Sequence, residues 1–191
     1  AFFSWNSINP DLKAESSQNI ELGYKRFLNY GLYSLSLYNY NIKNKIVMVN
    51  NQAENLNKAK HQGMEFRYEN RYFQKHNFRF SYNYTQAKDS SGKKLELIPR
   101  NKLIIEDKIN INRNYSSNIQ YIYLSKRTDD TSSGTKNLSS HSLVNIYLNS
   151  KLSNQWEATV GVKNLLDKYY ESAYGYASEG RNIYGLITWK F

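Results

Sequence analysis

The feature that most restricts the fold is an alternation of apolar and polar residues with a period of two, repeated in nine stretches along the chain. That period belongs to strands with two unlike faces, and no stretch carries the 3.6-residue period of an amphipathic helix. The clearest case is "FRFSYNYTQAK", where Phe78, Phe80, Tyr82 and Tyr84 share one face and Arg79, Ser81, Asn83 and Thr85 the other. The first strand is read at about 17–27, with Ile20, Leu22 and Tyr24 against Asn19, Glu21 and Lys25. Others are expected near 31–42, 62–73, 97–112, 117–127, 141–152 and 156–164, and the last at 181–191. In the strand at 62–73, Met64, Phe66, Tyr68 and Tyr72 oppose Glu65, Arg67, Glu69 and Arg71.

The connections alternate as well. Those near 28–31, 74–77, 113–116 and 153–155 are a few polar residues each, whereas those near 43–60, 88–96, 128–140 and 165–180 are long. Short turns on one side and long loops on the other are the mark of an up-and-down barrel across an asymmetric membrane, with the short turns periplasmic. The apolar face would then meet lipid and the polar face a watery lumen, with Tyr and Trp near strand ends at the interface. A one-sided antiparallel sheet over a soluble core gives the same alternation. It leaves nine two-faced strands with no helices to cover them.

Composition narrows the partners more than it names them. The 26 Lys and Arg outweigh 16 Asp and Glu, but no basic run and no recognition motif accompanies the charge, so no nucleic acid partner is expected. The 18 tyrosines suit a membrane interface, and the absence of cysteine removes disulfides and thiolate chemistry. No stretch approaches the roughly 18 apolar residues of a transmembrane helix, a test to which barrel strands are blind. No nucleophile elbow or other catalytic constellation is present, so no enzyme is expected.

The strand count has a consequence. With the short turns periplasmic, the first and ninth strands both descend, and Phe191 finishes at the periplasmic rim. Single-chain bacterial barrels have an even number of strands, so nine do not close. An eight-stranded barrel from residue 31 onward would leave 17–27 peripheral, although that strand is as amphipathic as its neighbours. A 22-stranded transporter with a plugged lumen is the natural parent, and at roughly 21 residues per strand it needs on the order of 460 residues. The fold class expected is thus all-β: an antiparallel up-and-down transmembrane β-barrel, of which residues 1–191 are the C-terminal portion, about nine strands of 22.

Several motifs resemble the C-terminal barrel of TonB-dependent outer-membrane receptors. "NPDLKAESSQNIELGYK" is similar to the family's Asn-Pro-x-Leu-x-Pro-Glu box through Asn9, Pro10, Asp11, Leu12 and Glu15, with Ala14 where proline is usual. "NLNKAKHQGMEFRYE" resembles the Ala…Gly-Val-Glu segment through Ala59, Gly63 and Glu65, with Met64 for valine. The last part resembles the terminal Asn-Leu-Phe-Asp-Lys-x-Tyr, Gly-Arg and final-strand pattern through Asn164, Leu165, Asp167, Lys168, Tyr169, Gly180, Arg181 and Phe191. Leu166 replaces the usual phenylalanine there.

The resemblance implies a receptor in the cell outer membrane that takes up a ferric siderophore or related large metal chelate, energised through TonB. "YYESAYGYASEGR" looks closest to the cobalamin transporters and resembles ferric-catecholate receptors as well through Tyr, Gly180 and Arg181, and haem is a further option. A non-transporting structural fragment and a soluble β-sandwich binding protein stand as other classes. The implied partners are outer-membrane lipid and lipopolysaccharide, the barrel-assembly machinery, the metal-chelate cargo, the remaining barrel strands, and an N-terminal plug that links to the TonB complex. The plug is expected to lie outside residues 1–191, and no cofactor is expected. Arg127, Asp129, Asp130, Tyr174 and Tyr176 in the outer loops are candidate cargo contacts, since Arg and Tyr serve anionic or aromatic chelates. Asp129 and Asp130 read as solvated loop acids rather than a metal site, and His61, His76 and His141 as strand-end polar residues. In the final strand, Ile187, Trp189 and Phe191 match the family's barrel-assembly signal.

Overall fold

A computed structural model describes residues 9–49, 52–70 and 75–191. Arg71, Tyr72 and Phe73 of the expected third strand lie outside the described residues, as do Gln74 of its short turn and the "AFFSW" start. The strands in chain order are β1 (Ser16–Leu28), β2 (Gly31–Val49), β3 (Gln52–Asn70), β4 (His76–Asp89), β5 (Asn101–Asn110), β6 (Tyr115–Leu124), β7 (Arg127–Thr131), β8 (Gly134–Leu138), β9 (His141–Lys151), β10 (Trp156–Lys163), β11 (Glu171–Ala173), β12 (Tyr176–Ala177) and β13 (Asn182–Trp189).

Nine of these form one antiparallel sheet in the order β1-β2-β3-β4-β5-β6-β9-β10-β13, so every strand pairs with its neighbour in the chain apart from intervening loop hairpins. The register carries one face unbroken across the sheet: Leu35 opposes Phe66, Phe66 opposes Tyr82, and Tyr82 opposes Leu103. Farther along, Ile119 opposes Ile146, Val162 opposes both Ile146 and Ile183, and Trp156 opposes Trp189. The other face runs through Glu65, Asn83 and Lys102, then Glu106, Gln120 and Asn145.

Among the described residues no second layer packs on this sheet. The buried hydrophobic residues among those described are only Ala59, Ala87 and Leu138, while Leu22, Ile183 and Ile187 are each about 70 % exposed. A water-soluble sandwich buries one face of each sheet against the other, so this arrangement excludes it. The sheet is stable only where its apolar face meets hydrocarbon. The eight-stranded alternative also fails, because β1 is paired with β2 over its whole length, from Ser16↔Lys43 to Leu28↔Gly31. The sheet is not closed: β1 and β13 are its two edges.

The outer connections are more structured than the sequence implies. The expected long loop at 43–60 is a continuation of the β2–β3 ladder, paired as far as Val49↔Gln52. More than half of its residues are Asn, Lys and Gln, so nothing in the pattern marks two faces although the backbones pair on past Asn44, which the register skips. The loop at 128–140 holds the β7–β8 hairpin, and that at 165–180 the β11–β12 hairpin. β5 starts at Asn101 and not at 97, because Pro99 has no N–H to give and Leu97 stands at φ 59. β6 stops at Leu124, since Arg127 already belongs to the next hairpin.

Candidate functional site

Three outer segments converge above the strand ends. The β7–β8 hairpin turns through Gly134 at φ 101, a left-handed conformation that glycine adopts without strain, and stands between its two neighbours. On one side the Leu97 N–H donates to the Thr128 carbonyl at 2.7 Å, and the Asp130 N–H donates to Glu96 Oε2 at 3.1 Å. On the other side Arg127 Nη2 donates to the carbonyls of Glu171 at 2.7 Å and Ser172 at 3.1 Å, and the Tyr174 N–H donates to Asp129 Oδ2 at 2.7 Å. Lys136 Nζ lies 5.5 Å from the centre of the Tyr174 ring.

Four of the five candidate cargo contacts therefore meet, but through different atoms. Arg127 and Asp129 are buried and hold the loops together. Asp130 pairs with Lys93 at 2.8 Å and accepts from Thr135 Oγ1 at 2.6 Å; these bonds, Lys93 first, hold its carboxyl below the usual range. Asp129 and Asp130 thus have different partners and do not converge, and no group of His, Asp or Glu among the described residues is arranged for a metal ion. Tyr174 and Tyr176 are exposed at the surface. His141 is buried against Tyr170, ring centres 4.4 Å apart, at the foot of the cluster. His61 and His76 lie on β3 and β4, and His76 Nδ1 is 2.6 Å from Asp107 Oδ2.

Beside the hairpin is a cleft of about 160 Å³ whose lining includes Lys94, Arg100, Lys126 and Arg127 and no acid. Arg127 Nη1 has no hydrogen-bond partner there although it is buried. Sequence reasoning found only Arg127 of these four. The missed signal was parity: Lys102 opposes Asn83 on the polar face, which puts Arg100 two positions before it at the lumen mouth.

The motif residues form a second, structural group. Asn164, at φ 48 and 4 % exposed, receives the Lys168 N–H on Oδ1 at 2.8 Å and gives Nδ2 to the Lys168 carbonyl at 2.9 Å and the Glu179 carbonyl at 3.4 Å. The Leu165 N–H donates to the Val144 carbonyl at 2.8 Å. Asp167 Oδ1 accepts the Arg181 N–H at 2.7 Å, and a Cβ on Gly180 would come within 2.9 Å of that oxygen. These residues buckle the end of β10 to the start of β13. At the other edge, Asn9 donates to the Ala53 carbonyl at 3.0 Å, and Glu15 accepts the Ile46 N–H at 3.1 Å. The segment carrying Pro10 and Leu12 is thereby laid along the extended β2–β3 hairpin.

The family described as "TonB dependent receptor-like, beta-barrel" matches residues 1–165. The chain belongs to it. By sequence, no curated protein matches. Among solved structures, the ferric enterobactin receptor of Pseudomonas aeruginosa is similar at 22% identity and TM-score 0.80, over 94% of this chain and 32% of that one. The siderophore receptor PirA of Acinetobacter baumannii is similar at 23% identity and TM-score 0.80, over 95% and 32%. The ferripyoverdine receptor of the P. aeruginosa outer membrane, bound to ferripyoverdine, gives 18% identity and TM-score 0.76, over 94% and 28%. The chain spans about a third of the length of the solved receptors it matches.

As part of a TonB-dependent receptor barrel, the sheet lies in the cell outer membrane, and TonB-dependent receptors are transporters and not enzymes. The short turns of the barrel then face the periplasm, and the converging hairpins face outward. At the periplasmic rim Trp156, Trp189 and Phe191 form a run of rings, with centres 6.1 and 5.6 Å apart, on the lipid face. Lys190, on the opposite face, pairs with Glu157. Ile187 continues the lipid face opposite Ala158.

Proposed function

We propose that these nine strands are the C-terminal wall of a 22-stranded receptor that imports a ferric siderophore or related anionic metal chelate, with energy supplied through TonB. The observation that carries the reading is the basic cleft under the docked outer loops, where Lys94, Arg100, Lys126 and Arg127 line one space without an acid. Ferric catecholates and many carboxylate chelates are anionic, and such a mouth concentrates and orients them by charge-assisted hydrogen bonds. The exposed rings of Tyr174 and Tyr176 stand above the same loops and would stack on an aromatic chelate. The chelates for which the similar receptors are named, ferric enterobactin and ferripyoverdine, support the same class of cargo.

The two unpaired edges, β1 and β13, are completed in this reading by strands supplied from elsewhere in the receptor. The lumen face, with Lys25, Glu65, Arg67, Asn83 and Lys102 along one trough, receives the plug. The test is uptake of iron-55 chelates under iron limitation by cells carrying the intact receptor or Arg100→Ala/Lys126→Ala. Uptake of an anionic ferric chelate should fall at least tenfold in the double variant, with the receptor at normal abundance. Unchanged uptake in that variant would remove the assigned cargo site. Cobalamin or haem uptake in its place would overturn the siderophore reading.

A further inference from the structure

The lipid face carries lysines directly opposite one another at its outer margin. Lys43 pairs in register with Lys58, Lys60 with Lys88, and Lys88 is bridged in turn to Lys94. Lys60 and Lys88 thus stand abreast on β3 and β4, Lys43 and Lys58 form the next row outward, and Lys94 reaches the cleft beside the β7–β8 hairpin. Like charges placed directly opposite across a ladder are destabilising. Among the described residues nothing offsets them, since none of the five lysines makes an ion pair. Neighbouring acids are committed elsewhere. Glu15 accepts from the Ile46 N–H, Asp89 from Ser91 and the Lys93 N–H, and Asp130 from Lys93 Nζ. Glu54 stands four positions beyond Lys58, toward the hairpin tip.

Their height decides what they meet. On the same face below them come Gln62 and Gln86, hydrogen-bonded at 2.7 Å, then Met64 with Tyr84, Phe66 with Tyr82, and Tyr68 with Phe80. The step from Phe78 to Lys88 on β4 covers roughly 33 Å of strand at about 3.3 Å per residue, or about 25 Å of membrane at a tilt of about 40°. That is the full height of a barrel's apolar band, so the ammonium groups emerge at the outer headgroup level while their stems lie along the acyl region. The phosphates of the outer leaflet occupy that layer.

We infer that Lys43, Lys58, Lys60 and Lys88 form a binding site for the phosphorylated headgroup of the outer-leaflet glycolipid. Its phosphates provide the counter-charge that the opposed lysines lack. The site is on the outside of the wall, so it does not depend on which cargo passes through the lumen.

The test titrates the complete barrel, purified in detergent, with diphosphorylated lipid A, read by native mass spectrometry. Lys58→Gln/Lys60→Gln/Lys88→Gln should weaken binding about fivefold per lysine and roughly a hundredfold in all. Dephosphorylated lipid A should bind the wild type no better than diphosphorylated lipid A binds the triple variant. A lumen-facing pair, Lys102→Gln/Lys126→Gln, should bind as the wild type does. Wild-type binding by the triple variant overturns the site, as does equal loss in the lumen-facing pair, which would mean charge without position. If the triple variant does not fold, Lys60→Gln alone should still show the fivefold loss, and its absence counts against the site equally.

Discussion

Replacing Gly63 with alanine tests how closely the lumen face is packed. Gly63 lies between Tyr38 on β2 and Thr85 on β4, and the Tyr38 phenol reaches across it to Thr85 Oγ1 at 2.8 Å. A Cβ at this position would stand 2.0 Å from the Tyr84 carbonyl oxygen and 2.7 Å from the Tyr38 hydroxyl. Swinging Tyr38 aside relieves the second clash and sacrifices its hydrogen bond, about 1 kcal/mol. The first clash remains, because a carbonyl in mid-ladder moves only with its strand, and overpacking of that kind costs about 1–3 kcal/mol. Alanine returns about 0.4–1 kcal/mol by restricting the unfolded chain. The net expectation is a loss of about 1–3.5 kcal/mol, measured as the shift in urea midpoint of the barrel folded in detergent. Tyr38→Phe is the companion, expected to lose about 1 kcal/mol because only the hydrogen bond goes. A Gly63→Ala midpoint equal to the wild type, or no lower than that of Tyr38→Phe, would refute the packing argument. It would mean that the β3–β4 ladder yields where the register says it is fixed.

Asn164→Ala removes the side-chain bonds to Lys168 and Glu179 and leaves alanine at φ 48. The expected cost is about 2–4 kcal/mol from two or three hydrogen bonds and left-handed strain, read as a lowered urea midpoint. Trp189→Ser/Phe191→Ser breaks the rim of rings on the lipid face and should lower the amount of folded receptor in the outer membrane severalfold, measured by heat-modifiable gel mobility. The Asp130 carboxyl, held low by Lys93 and Thr135, should titrate below an ordinary aspartate in an NMR pH series, and Lys93→Met should raise it. Because its folded pKa is depressed, its contribution to loop docking is present above the ordinary aspartate value, about pH 4, and fades as pH falls through the lowered one.

The spanning strands were legible because contrast between neighbours survives translation into structure. Phe78, Phe80 and Tyr82 against Arg79, Ser81 and Asn83 leave a strand only one way to sit between lipid and lumen. Contrast is what residues 43–60 lack, so a paired hairpin there read as loop. The same holds for "RTDDTSSGTKNL", whose β7–β8 pairing depends on a glycine turn rather than on faces. The outer-loop cluster was half legible. Arg127, Asp129 and Tyr174 do come together, but Arg127 binds carbonyls of residues 171 and 172, and Asp129 binds a backbone N–H. Contacts to backbone leave no mark on the partner's side chain, and a separation of about 45 positions hides them from local pattern. The lysine rows were invisible for another reason: two residues oppose each other only once register is known.

The Asn164 buckle has a consequence for how such a barrel can change. It fixes both feet of the β10–β13 loop using Asn164, Asp167, Gly180 and Arg181, whose hydrogen bonds use no side chain between 169 and 178, while Tyr170 adds only its stacking on His141. The tie from Arg127 lands on carbonyls, which every residue supplies. The stretch between is therefore free to be rewritten, and even doubling its length costs only about 0.6 kcal/mol in loop-closure entropy. The wall acts as a socket with standard pins, into which new recognition loops can be fitted while the ladder beneath goes on unaltered.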